Sequence, residues 1–274
     1  MSCKKCGSGH AGTRMHRQEA FQKILFEIKK RQQMMSASKP EDARCLQCGH
    51  RFSPVWDQVD GCWEFPEIAD TGICRQCGKL NHIRQNIEKC MQNAGVPPKY
   101  QNCTFENFHL TEENYPGMIK CKNYVRDHSS DRQGLYIFGA CGTGKTHLAS
   151  AVAREIILTG RQVVFTCVPR LCLEIRKAFD KDSKITEQSA VSAFISCEYL
   201  VLDDLGVEKP TEWVKKTLSY IIYERDNMFK PTIITSNLSL DDIASHIDRR
   251  TASRIAGMSR VIRLQGPDWR LKKK

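Results

Sequence analysis

Apolar positions along the chain fall into two periods. Runs of strand length occur at GLYIF (134–138), QVVFTCV (162–168), YLVL (199–202) and PTIITSN (231–237), each closed by polar or turn-forming residues. Between them the spacing becomes helical. In HLASAVAREIILTG (147–160), Leu148, Val152, Ile156 and Ile157 share one face, and Gly160 offers a C-terminal stop. Residues 211–229 also read as helix, as does PRLCLEIRKAFDKD (169–182) after the second strand. The repeated order of strand and helix predicts a doubly wound α/β domain, which binds its ligand at the carboxyl ends of the strands. Far upstream, Phe21, Ile24, Leu25 and Ile28 form another helical stripe, suited either to packing on its own module or to docking on a partner.

The polar residues that close the strands carry the chemistry. GLYIF runs into Gly139-Ala-Cys-Gly142-Thr143-Gly144-Lys145-Thr146 and then His147, a phosphate-binding loop between strand and helix. Gly142 and Gly144 let backbone N–H groups turn inward onto phosphate oxygens, aided by the helix N-terminus. Lys145 can reach the β- and γ-phosphates of ATP, and the Thr146 hydroxyl suits Mg²⁺. YLVL ends in Asp203 and Asp204, the first placed to hold the Mg²⁺ shell and the second to polarise a water. Asp204 is one methylene shorter than the glutamate common at such a position, so slow hydrolysis is expected. Asn237, closing the fourth run, can orient that water or sense the γ-phosphate.

Composition adds a second module. Eight of the fourteen cysteines fall in the first 90 residues. There is no apolar leader and no run of membrane length, so a cytosolic protein is expected, in which cysteines serve as metal ligands or core rather than disulfides. Cys45-Leu-Gln-Cys48-Gly and Cys74-Arg-Gln-Cys77-Gly are matched knuckles, 25 residues apart, that together supply four thiolates for tetrahedral Zn²⁺. FSPVWDQVDGCWEF between them reads as a hairpin turning at Asp60-Gly61, with Cys62 a strand residue. A third knuckle, Cys3-Lys-Lys-Cys6-Gly, has no matched partner. His10, His16, Cys90 or another chain could complete it, or it could be a free terminus. Gly95, Pro97 and Pro98 place a boundary in NAGVPPKYQ (93–101), giving a zinc-binding region at 1–95 and the α/β domain at 96–274. A net charge of +11 suits a polyanionic partner, nucleic acid or nucleotide.

Residues from about 98 to 270 resemble the bacterial replicative-helicase loaders of the DnaC/DnaI type, a branch of AAA+ ATPases that also includes the IstB transposition helpers. The resemblance rests on QNCTFENF (101–108), IFGACGTGKTHLA (137–149), VLDDLG (201–206), TIITSNL (232–238), RRTASRI (249–255) and GPDWR (266–270), in that order. It implies an AAA+ P-loop fold with a central parallel sheet and a reduced lid, since 37 residues follow Asn237. It also implies a nucleotide at a subunit interface, self-association through that site, and an arginine supplied by the neighbour. Arg254 matches that arginine, with Arg250 one turn earlier as substitute, and Arg270 matches the arginine that reads nucleotide from the C-terminal side. Further implied are a replicative helicase gripped by residues 1–95 and single-stranded DNA held inside an oligomer. Arg170, Arg176, Lys177 and Phe179 are candidates for that DNA path, although Leu171, Leu173, Ile175 and Phe179 also fit a core face. Two competing readings remain: an IstB-like helper binding DNA and a transposase, and a non-catalytic, nucleotide-gated DNA-binding protein.

Overall fold

A computed structural model describes residues 39–57, 59, 62–69, 71–127, 133–179, 186–206 and 210–271. The Cys3/Cys6 knuckle, His10, His16, the Phe21–Ile28 stripe and the Asp60-Gly61 turn lie outside the described residues. The chain divides between Lys79 and Leu80 into two compact units.

In the first unit, strands β1 (Ala43–Arg44) and β2 (Arg51–Phe52) pair antiparallel. So do β3 (Val55–Asp57) and β4 (Cys62–Glu64), which form the expected hairpin with Cys62 opposite Asp57. Trp56 and Trp63 face each other across it, edge to face at 5.2 Å, a pairing that holds strand register. Helix α1 (Arg75–Gln85) begins in this unit and carries Cys77.

The second unit is built on a five-stranded parallel sheet of order β6-β7-β8-β5-β9. Its strands are β5 (Gly134–Phe138), β6 (Val163–Cys167), β7 (Tyr199–Leu205), β8 (Thr232–Ser236) and β9 (Ser259–Arg263). Successive residues of a strand point to opposite faces, so each apolar run feeds two cores. Leu135, Ile137, Tyr199, Val201 and Ile233 pack beneath α2 (Ile87–Asn93), α3 (Tyr115–Asp127) and α4 (Lys145–Leu158). Tyr136, Leu200, Leu202 and Ile234 pack beneath α5 (Val168–Arg176), α6 (Glu187–Ser196), α7 (Glu212–Asn227), α8 (Leu240–His246) and α9 (Arg249–Met258). Leu148, Val152, Ile156 and Ile157 are all buried, as their spacing requires. Met91 and Val96 are buried in the first of these cores, so the segment around Pro97 packs with the sheet.

Two expectations are corrected. Leu173 and Phe179 do not join the core with Leu171 and Ile175; they are 61% and 57% exposed, Leu173 on the outer face of α5 and Phe179 in the helical turn Lys177–Phe179 beyond it. A fifth strand, Ser259–Arg263, also lies beside β5, where the hydrophobic pattern gave no strand. It is an edge strand, and only Ser259 and Ile262 face inward. Among the described residues no helix is long and apolar enough to cross a membrane.

Arg225 is fully buried in this unit. Its Nη1 donates to the carbonyls of Phe194 (2.9 Å), Ile195 (3.1 Å) and Cys197 (2.9 Å), its Nη2 to Pro231 (2.7 Å) and its Nε to Thr232 Oγ1 (2.9 Å). One guanidinium thus satisfies the open carbonyls at the end of α6 and ties them to the start of β8. Replacing Arg225 with Ala strands those acceptors, so urea unfolding of the full chain is expected to show a loss of about 3 kcal/mol, with Lys recovering only part.

Candidate functional site

Five segments converge on a cavity of about 480 Å³ at the carboxyl ends of β5, β7 and β8, the fifth being Lys99-Tyr100. The phosphate loop contributes Gly142, Gly144, Lys145 and Thr146, with His147 beside them; β7 contributes Asp204, the end of β8 Asn237, and the C-terminal segment Arg270. Gly142 (φ +73°) and Gly144 (φ +99°) take the left-handed backbone that turns the loop's N–H groups inward. Neither could carry a side chain. A Cβ on Gly144 would lie 2.6 Å from Phe108 Cε2, and one on Gly142 would collide with the Asp268 carboxylate.

Lys145 is buried, and its Nζ donates to the carbonyls of Gly139 (2.9 Å) and Ala140 (2.7 Å). Burial pulls its ammonium below the ordinary lysine value, and the nearby Cys141 and Asp204 oppose that. Thr143 turns its hydroxyl back onto Ala140 O at 3.0 Å and so braces the loop. His147 hydrogen-bonds Thr104 O at 2.8 Å and meets Phe108 edge on, which ties the loop to the 104–108 segment. Burial holds its ring below the ordinary imidazole value.

The two carboxylates of β7 are separated by their backbone. A bulge interrupts the β7–β8 register between Leu202 and Leu205, and Asp204 sits at φ +55°. Asp203 is left buried, accepting from Thr235 Oγ1 at 2.6 Å, while the same hydroxyl accepts the Asp204 N–H at 2.9 Å. Burial raises the Asp203 carboxyl to about 6, reinforced by Asp204 and opposed by bonds from Thr235 and Thr146. Thr146 and Asp203 thus set a hydroxyl and a carboxylate side by side, a hard-oxygen pair of the kind Mg²⁺ takes.

Arg254 lies elsewhere, on α9 over a groove of about 760 Å³ shared with α7, and does not line the phosphate cavity. Arg250 lines the same groove and is exposed. Of the residues named for a DNA path, Arg170 bonds Gly95 O at 3.0 Å and Lys177 pairs with Glu174 at 2.8 Å. Arg176 and Phe179 cluster on Trp213 at the surface.

Sequence reasoning passed over several residues of the cavity: Lys99, Tyr100, Cys141 and Trp269. Lys99 and Tyr100 stand in the Pro-rich stretch taken as a boundary. Ser150 Oγ donates to Tyr100 O at 2.7 Å, which seats that stretch on α4. The Trp269 ring stacks on His109 at 3.9 Å and its backbone N–H donates to Gly142 O at 3.2 Å, so the C-terminal segment straps across the loop. Cys141 and Trp269 sit inside GACGTGKT and GPDWR, and for Lys99-Tyr100 the signal was their adjacency to QNCTFENF.

In the first unit the sulfurs of Cys45, Cys48, Cys74 and Cys77 all lie within 4.8 Å of one another, with Cys48 and Cys74 at 3.8 Å. Tetrahedral zinc, with Zn–S of about 2.3 Å, needs sulfur separations of about 3.8 Å, so the donor set fits that ion. Backbone N–H groups already point at sulfur, Cys74 N to Cys45 Sγ at 3.2 Å and Cys77 N to Cys74 Sγ at 3.5 Å. The first of these leads in lowering the Cys45 thiol to about 6, whereas burial and the neighbouring sulfurs push Cys77 up to about 12.

Residues 80–274 match the family described as IstB-like ATP binding protein. The replicative helicase loader DnaC of Buchnera aphidicola subsp. Baizongia pistaciae is 26% identical over 202 residues, 73% of this chain and 78% of that protein. The crystal structure of the DnaC helicase loader superposes with a TM-score of 0.56 at 27% identity, over 62% of this chain and 100% of that one. The crystal structure of DnaI superposes with a TM-score of 0.53 at 24% identity, over 63% and 93%, a likeness of fold.

Chelation of the full chain is expected to release zinc and to abolish hydrogen-exchange protection between Ala43 and Cys77. Cys45→Ser or Cys74→Ser should do the same without chelator. Unchanged protection after both treatments would rule out a structural metal.

Proposed function

Because the chain belongs to the IstB-like ATP-binding protein family, we propose that it is an ATP-switched loader of a replicative DNA helicase onto single-stranded DNA. The observation that carries this reading is the convergence of Lys145, Thr146, Asp204, Asn237 and Arg270 on one cavity while Arg254 lines a separate groove. A site completed by a neighbour's arginine makes ATP a reporter of assembly, and relatives named as helicase loaders supply the client.

In this mechanism the loop N–H groups and the Lys145 ammonium hold the β- and γ-phosphates, with Gly139 and Thr143 keeping the loop in shape. Thr146 and the ionised Asp203 would hold Mg²⁺, which would neutralise phosphate charge. Asp204, the carboxylate that lines the cavity, accepts the proton of the attacking water, and Asn237 orients that water. Arg270 grips the phosphates from the C-terminal strap. Arg254 of one subunit reaches the γ-phosphate held by the next, and its loss on hydrolysis opens the junction. Residues 1–95 engage the helicase, and the zinc cluster gives that region its rigid part. The exposed Arg176 and Phe179, gathered on the half-buried Trp213, suit a single strand through phosphate neutralisation and base stacking.

The IstB-like family description also favours a helper that binds DNA and a transposase. The four-cysteine module, which IstB-like helpers generally lack, weighs against it.

Asp204→Asn keeps the side-chain shape and the left-handed backbone. It should therefore bind ATP like the wild type while turning it over about 100-fold more slowly; equal turnover would favour the non-catalytic reading. The client is tested by capture of purified replicative helicase on the full chain, with and without ATP. Binding that ATP modulates is expected, and no binding in either condition would sink the loader assignment.

A further inference from the structure

Arg254 is held by two neighbours on α7, one turn apart and on the same face. Its guanidinium lies over the Tyr223 ring, 4.4 Å from the centroid, and its Nη1 donates to Asp226 Oδ2 at 3.1 Å. The base of this arrangement is itself fixed. Asp248 caps α9 by accepting the Thr251 N–H at 2.8 Å, and its other oxygen accepts the Ser219 hydroxyl of α7, also at 2.8 Å. Arg250, one turn earlier, is exposed and makes no ion pair or ring contact of this kind among the described residues.

We propose that Tyr223 and Asp226 are positioning residues that hold Arg254 ready for the γ-phosphate of a neighbouring subunit, an inference that rests on the reading of Arg254 as the arginine acting between subunits. Exposure argues that orientation is the purpose. Arg254, Asp226 and Tyr223 are 35%, 32% and 40% exposed, and ion pairs so open to water add little to stability. The grip is also partial. One of five guanidinium N–H donors is bonded to Asp226, so an edge stays free for phosphate oxygens. An unheld arginine on a flexible stem would have to find that geometry at each encounter. A ring beneath and a carboxylate at one corner remove most of the search before the subunits meet. The same feature separates the two candidate arginines, since Arg250 has no such bracket.

The test is steady-state ATP turnover of the assembled full chain, with subunit mixing. Asp226→Ala and Tyr223→Ala are each expected to lower kcat about tenfold with KM for ATP unchanged, because the phosphate cavity of the same chain is untouched. Tyr223→Phe, which keeps the ring, should retain wild-type turnover. Arg254→Ala should fall further, and Asp226→Ala added to it should cost nothing more. Mixing Asp226→Ala chains with Lys145→Ala chains should restore turnover, since the second supplies a well-held Arg254 to the intact site of the first. If either alanine variant fails to fold, Asp226→Asn and Tyr223→Leu make the same comparison. Wild-type turnover by the Asp226 and Tyr223 variants, beside an impaired Arg254→Ala, would overturn the bracket and leave the inter-subunit arginine standing. Wild-type turnover by Arg254→Ala would overturn both, and failure of the mixed chains to recover would overturn action across the junction.

Discussion

Both faces of the parallel sheet are buried beneath helices, so its strands can present charge only at their ends. The placement of the phosphate loop, the two carboxylates and the asparagine follows from that constraint. The phosphate loop leaves β5, two carboxylates terminate β7 and an asparagine follows β8, because those edges are where polar groups escape the interior. β5 lies between β8 and β9, and β7 flanks β8, so groups far apart in sequence end within one cavity.

Much of this was legible in the chain. GLYIF and YLVL are almost wholly apolar and PTIITSN is centred on Ile233-Ile234, the pattern of strands buried on both faces. The phosphate loop declared itself through its glycines and Lys145. What escaped notice had physical reasons. Ser259–Arg263 carries two arginines in five residues, because an edge strand needs only one inward face. Lys99 and Tyr100 were hidden behind prolines that ordinarily mark linkers, yet Pro98 starts a single helical turn that presents both to the cavity. Exposed Leu173 and Phe179 looked like core, since periodicity cannot distinguish an apolar surface from an apolar interior.

The bulge in β7 was also invisible, and it bears on the residue type at its end. A left-handed φ is tolerated by aspartate better than by most side chains. Asp204 is therefore compatible with a backbone that turns the second carboxylate into the cavity while Asp203 stays buried on Thr235. Its shorter reach relative to glutamate and its twisted backbone belong to one local arrangement.

Arg225 has a further consequence through the identity of its acceptors. All of them are carbonyls, a hydroxyl or a sulfur, and none is a carboxylate. Dissolved ions screen pairs of exposed charges such as Arg161–Glu198 and Lys215–Glu212, but a cation enclosed by fixed dipoles gives them nothing to weaken. Raising the ionic strength will strip a basic protein from a polyanion long before it loosens this interior clamp. The tie between α6 and β8 thus outlasts the surface pairs as salt rises.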